Sequence, residues 1–175
     1  MVQIRERDLA ARELYYLTKA VTDRLRPRGA LVLVNDRADI AASAGAGVHL
    51  TTRSLTAEVV RAAFGPNLLI GVSTHNQQEA EAAERGGADF IVFGPVFETA
   101  SKQEYGEPVG AAALHRLAKS SSIPIIALGG INRSNCKEAL DAGAAGVAGI
   151  SMFTQSVHSQ GLGELVSNIR NMKLG

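Results

Sequence analysis

"LLIGVSTHNQQEAEAAERGGADFIVFG", residues 68 to 94, carries the pattern that decides the fold. Its first five residues form an unbroken apolar run, as expected of a strand buried on both faces. From Gln77 to Arg85 the pattern becomes that of an amphipathic helix, and "DFIVFG" (89–94) is a second buried run. Strand, helix and strand in so short a span predict a βαβ unit with parallel strands. "RGGAD" (85–89) marks the helix end, because glycine accepts the left-handed cap conformation from which the chain turns back. At the far end Gly94-Pro95 stops the second strand, since proline offers no N–H and fixes its own φ.

The alternation extends in both directions. "VQIR" (2–5) leads into a helix from Leu9 to Leu25, "ALVLV" (30–34) into a short helix at 38–44, and "GVHL" (47–50) into a helix at 56–64. After the Gly-Pro step a helix is expected at 110–119. "IPIIALGG" (123–130) then precedes a helix from Arg133 to Asp141, and "AGVAGIS" (145–151) leads to a last helix near 161–172. No linker or low-complexity stretch interrupts the series, so residues 1–175 are expected to form a single domain. The count is about seven βα units, where a closed (β/α)8 barrel has eight. Two architectures remain open on this pattern: a barrel lacking one unit, or an open doubly wound sheet.

Composition narrows the function. The 175 residues are 46% hydrophobic, enough for one sizeable core. A net charge of +1 gives no electrostatic footprint for nucleic acid or an anionic membrane surface. Aromatic residues make up 5% and Trp is absent, which argues against base-stacking platforms. The one cysteine, Cys136, has no internal partner and reads as helix packing; zinc-type spacing is absent, so a reducing cytoplasm is expected. No apolar run reaches the length of a membrane span, and no signal peptide is found.

Chemistry is expected at the strand ends. The polar residues just past each strand are Gln3 and Arg5; Asn35 and Asp36; Thr51, Thr52 and Ser54; Ser73 and His75; Thr99, Ser101 and Lys102; Gly129 and Gly130; and Ser151. In a parallel barrel these positions line the C-terminal face, where active sites form. Cations, hydroxyls, a bare backbone turn and one carboxylate suit a phosphorylated small molecule with a metal ion. Gly129-Gly130 is either a phosphate-holding turn at a helix start or an ordinary tight βα turn. Asp36 either holds Mg²⁺ or caps the helix near residue 38. Ser73 is a ligand contact or an N-cap, and Lys102 a phosphate-binding point charge or a solvated lysine. Arg5 is suited to clamp a diphosphate, whereas Arg7 and Glu6 read as a surface pair. His75 reads as a helix-start histidine, with acid–base work the alternative. His49, His115 and His158 carry no spacing argument.

Together, "VQIRERDLAARELYYL", "LVNDRADIAASAGAGVHL", "GVSTHNQQEAEAAERGGADFIVFGPVF", "TASK" and "IPIIALGGINRSN" with "AGAAGVAGIS" resemble the thiamine phosphate synthase / thiazole tautomerase family, in order and over nearly the whole chain. The resemblance implies a (β/α)8 barrel lacking its first strand and helix. It implies a transferase that joins hydroxymethylpyrimidine diphosphate to a thiazole phosphate in thiamine biosynthesis, releasing diphosphate. By matching position, Gln3, Arg5, Asn35, Ser73 and Lys102 would contact the pyrimidine diphosphate, with Arg5, Ser73 and Lys102 catalytic and Asp36 on Mg²⁺. Thr99 and Ser101 would meet the thiazole phosphate, whose phosphoryl group would lie against Gly130, Ile150 and Ser151. Family members pair, so a homodimer is implied. Three departures stand out. Ser54 occupies the place of the second metal carboxylate, Arg7 that of a substrate-binding lysine, and Pro95 that of the tautomerase histidine. A thiazole tautomerase and a relative that binds thiazole or thiamine phosphate without turnover are therefore the alternative readings.

Overall fold

In the computed structural model, which describes residues 1–99, 107–157 and 161–174, the apolar runs are strands and the amphipathic segments helices. The order is β1 (Val2–Ile4), α1 (Ala11–Leu25), a 3₁₀ turn (Arg26–Arg28), β2 (Val32–Asn35), α2 (Ala38–Ala44), β3 (Gly47–Leu50), α3 (Ala57–Phe64) and β4 (Ile70–Thr74). Then come α4 (Gln77–Arg85), β5 (Phe90–Phe93), α5 (Gly110–Ser120), β6 (Ile125–Leu128), α6 (Cys136–Asp141), β7 (Gly146–Ala148), α7 (Ser151–Val157) and α8 (Leu162–Leu174). The strands follow one another in the sheet in chain order, β1 to β7. A doubly wound sheet reverses its order at a switch point. This one does not, so the singly wound, barrel-type alternative holds, with seven strands among the described residues.

Two compact units divide the chain: Met1–Ser73 with Glu81–Ile91, and Thr74–Ala80 with Val92–Gly175. In the first, β1–β2, β2–β3 and β3–β4 pair in parallel, with Gln3 beside Leu33, Asn35 beside His49, and His49 beside Gly71. Val34, Val48, Leu50 and Ile70 are all but sealed from solvent. Helix α1 turns Leu14, Thr18 and Thr22 inward at helical spacing, and the Thr18 hydroxyl donates to the Leu14 carbonyl at 2.7 Å, which makes its burial tolerable. Thr56 caps α3 by accepting the Val59 N–H.

An arginine ties this unit together below the strands. The Arg61 guanidinium donates to the carbonyls of Gly87 (2.7 and 3.1 Å), Leu68 (2.7 Å) and Gly65 (3.0 Å), and to the Asp89 carboxylate (2.8 Å). Asp89 in turn accepts the Ile70 N–H at 2.7 Å, at the first residue of β4.

In the second unit β6 and β7 pair in parallel, and Phe93, Val96, Leu114, Ala127 and Ala139 are buried. Asn76 and Glu79 bond reciprocally at the start of α4: the Glu79 N–H donates to Asn76 Oδ1 at 2.9 Å and Asn76 Nδ2 donates to Glu79 Oε1 at 2.7 Å, while Glu79 Oε2 also accepts the His75 N–H at 2.7 Å. Cys136 is buried, as packing requires. Helix α6 begins at Cys136, three residues later than its sequence pattern suggests. Asn132 Oδ1 accepts the Ser134 N–H at 2.8 Å and its hydroxyl at 2.6 Å, so a side-chain turn replaces the first helical turn.

Candidate functional site

Strand alternation and register generate a polar row in the first unit. Gln3, Asn35, His49 and Ser73 share one face of successive strands, because Gln3 pairs with Leu33, Asn35 with His49, and His49 with Gly71. Each step rises two residues along the next strand or stays level with it. Gln3 Nε2 donates to Asn35 Oδ1 at 3.1 Å, and Ser73 Oγ lies 3.0 Å from His49 Nε2. Gly71, level with His49, has no room for a side chain: a Cβ there would fall 2.1 Å from the Phe90 ring. Arg5 and Arg7 follow β1 and are exposed.

Asp36 follows β2 in the left-handed region, φ +66°, the one residue other than glycine to do so among those described. Aspartate is among the few side chains that tolerate this conformation. Its N–H donates to the His49 carbonyl at 2.9 Å, leaving an exposed carboxylate at the strand end. Asp36 is not the helix cap, one of its two sequence readings: Arg37 occupies the N-cap position of α2. Arg37 is engaged bidentately by Asp39, at 2.9 and 2.7 Å. That pairing holds the Asp39 carboxyl below the usual carboxylate range and raises the guanidinium above its own.

Ser54 closes its own turn. Its hydroxyl accepts the Thr51 N–H at 2.8 Å and lies 3.1 Å from Thr51 Oγ1, while its N–H donates to the Thr51 carbonyl at 3.0 Å. Among the described residues no three His, Cys, Asp or Glu side chains cluster as a metal cage. This donor set fits an Mg²⁺ ion held by one carboxylate and by the phosphates of a ligand, the ordinary habit of that ion.

In the second unit β5 ends at Phe93, as the Gly-Pro step requires, and the Gly94–Pro95 peptide is cis. The loop that follows lies on the Gly129-Gly130 turn: Val96 and Phe97 donate their N–H groups to the carbonyls of Leu128 and Gly129, at 2.9 and 3.0 Å. Gly129 and Gly130 have φ of +95° and +66°. A Cβ on Gly129 would stand 2.5 Å from Pro95, and one on Gly130 2.4 Å from the Glu98 carbonyl. Close approach of two backbones therefore requires these glycines, a second demand beside any phosphate role. Asn135 Nδ2 donates to the Gly130 carbonyl at 2.9 Å. Gly149 lies close enough to Ile131 that a Cβ on it would be 3.9 Å from that carbonyl, and the next two residues, Ile150 and Ser151, are exposed. The His75 ring bonds the Gly94 carbonyl through Nδ1. Thr99 ends the described part of this loop; Ser101 and Lys102 lie outside the described residues.

The structure thus joins Gln3 to Asn35 and Ser73 to His49. Ser73 is not the cap of α4, a role Asn76 takes, and His75 stands directly before that cap at the helix start. The sequence reading passed over His49. It had a signal, as the sole polar side chain in the buried run "GVHL".

Comparison with known proteins places these features in context. The family model described as thiamine monophosphate synthase matches residues 1–153. A Geobacter sulfurreducens relative is 54% identical over 154 residues, covering 86% of this chain and 71% of its own. The thiamine-phosphate synthase of Chlorobium luteolum is 43% identical over 157 residues, or 89% and 74% of the two chains. Among solved structures, thiamine phosphate pyrophosphorylase from Pyrococcus furiosus superposes with a TM-score of 0.88 at 34% identity, covering 99% of this chain and 83% of the other.

Proposed function

Since the chain belongs to the thiamine monophosphate synthase family, we propose that it joins hydroxymethylpyrimidine diphosphate to thiazole phosphate, yielding thiamine phosphate and diphosphate. The family match over residues 1–153, which takes in all the described strands and the whole polar row, carries this reading.

In the reaction the bond from the pyrimidine methylene carbon to the diphosphate oxygen breaks, and its electron pair leaves with the diphosphate. The thiazole nitrogen lone pair forms the new carbon–nitrogen bond. No proton need move, so the protein's task is to stabilise leaving-group charge and to align the nucleophile. In the first unit Arg5, with Arg7 beside it, takes the diphosphate, and Gln3, Asn35 and Ser73 hold the pyrimidine. Asp36 holds Mg²⁺, which supplies neutralising charge when bound. By matching position in the family, Lys102 is assigned to the diphosphate and Thr99 and Ser101 to the thiazole phosphate, with Gly130, Ile150 and Ser151 assigned to its phosphoryl group. We place the protein in the cytoplasm as a homodimer. Its single, buried cysteine suits a reducing compartment, and sizing by light scattering checks the dimer.

The test is direct. Purified protein with both substrates and Mg²⁺ yields thiamine phosphate, and omission of the thiazole phosphate abolishes it. Absence of product, with thiazole phosphate still raising the melting temperature, identifies a binding protein instead. Interconversion of thiazole carboxylate isomers, followed optically, would identify a tautomerase.

A further inference from the structure

We propose that His49 is a positioning residue that sets the orientation and hydrogen-bonding polarity of the Ser73 hydroxyl; this rests on the assignment of Ser73 to the pyrimidine side of the reaction. His49 lies in β3 and is 6% exposed, the one histidine among the buried polar residues described. Burial of a polar side chain is costly unless hydrogen bonds compensate it. His49 has such a bond to Ser73, with Nε2 and Oγ 3.0 Å apart.

The pairing follows from the sheet. His49 and Gly71 are register partners, and Ser73 stands two residues beyond Gly71 on the same face. The place level with His49 holds no side chain, so the imidazole reaches diagonally to the serine. A serine hydroxyl alone rotates among three staggered positions. Bonded to a buried ring it has one. The ring's tautomer also selects the role of the hydroxyl. If Nε2 is unprotonated it accepts a hydrogen bond from the serine O–H, and Oγ presents only lone pairs to a ligand N–H. If Nε2 carries hydrogen it donates, and the serine proton is directed to a ligand acceptor. The same residue's carbonyl holds the Asp36 N–H at 2.9 Å, so one position of β3 orders two candidate site groups.

The experiment is a double-mutant cycle on the intact chain, with both substrate dependences measured. His49→Leu keeps the bulk and removes the hydrogen bond, whereas His49→Gln can restore a polar atom near the Nε2 position. The expected result is an increase of about tenfold in KM for the pyrimidine diphosphate with His49→Leu and recovery to within about threefold with His49→Gln. The KM for thiazole phosphate should stay put. In a Ser73→Ala background, His49→Leu should change the kinetics by less than about twofold, because the pair acts as a unit. Independent, multiplicative effects of the two substitutions, or equal loss toward both substrates, would overturn the proposal. An inactive wild type refutes the synthase reading itself; the ¹⁵N imidazole spectrum then decides the pair separately. Ser73→Ala should shift the His49 Nε2 resonance, and an unmoved resonance overturns the proposal without any turnover.

Discussion

Replacing Arg61 by methionine removes the guanidinium and keeps most of the apolar stem. Five hydrogen bonds are lost, to the carbonyls of Gly65, Leu68 and Gly87 and to the Asp89 carboxylate. The Arg61 side chain is 21% exposed and that of Asp89 40%, so water replaces part of what is lost. At about 0.6 kcal/mol for each part-exposed bond, near the low end of measured values, the loss approaches about 3 kcal/mol. In a chain of this length that lowers the melting temperature by about 9 °C. Arg61→Lys should lose about half as much, because one ammonium cannot spread over carbonyls that a planar fork reaches together. Urea denaturation is the assay: the midpoint should fall while the m-value holds. The clasp joins the α3–β4 and α4–β5 connections, at the strand starts, whereas barrel-type chemistry gathers at the strand ends. Turnover per folded molecule should therefore be unchanged at low temperature. A loss below about 1 kcal/mol, or a fall in turnover without unfolding, would refute this reasoning.

Other perturbations probe the site and its supports. Ser54→Asp supplies the second carboxylate and should tighten Mg²⁺ about tenfold in titrations with inorganic pyrophosphate present; unchanged affinity would remove Ser54 from the metal's surroundings. Gly130→Ala places a Cβ 2.4 Å from the Glu98 carbonyl at a φ of +66°, and should cost about 2 kcal/mol or more in chemical denaturation, with weaker thiazole phosphate binding. Because the Asp39 carboxyl sits below its ordinary range when folded, the stability it contributes is present above that ordinary value and is lost as pH falls through the depressed one. The pair is exposed, so Arg37→Ala should change acid stability by no more than about 0.5 kcal/mol, while NMR titration shows the Asp39 carboxyl returning toward its usual range.

Which parts of the molecule could be read in advance follows from where the determining contacts lie. Runs such as "GVHL" and "FIVF" announce themselves because strands buried on both faces leave no polar alternation. Helix α4 was legible for a local reason, since Asn76 and Glu79 form its cap within four residues. The start of α6 was not, because Asn132 competes for N–H groups that the helical pattern claims. His49 and Ser73 are 24 residues apart, and only strand register makes them neighbours. The two glycines after β6 read as a phosphate-holding turn or as an ordinary tight turn, and neither reading could show the demand set by Pro95 and Glu98, more than 30 residues earlier. Asp36 read equally as cap or ligand until its backbone conformation excluded the cap.

The central claim is carbon–nitrogen bond formation coupled to diphosphate departure. ³¹P NMR of one mixture of protein, Mg²⁺ and both substrates follows every phosphorus atom at once. Signals of thiamine phosphate and free diphosphate should grow together, one for one, as those of the substrates decline. Diphosphate released while the thiazole phosphate signal stays whole, or a spectrum unchanged with protein at substrate concentration, would contradict the account.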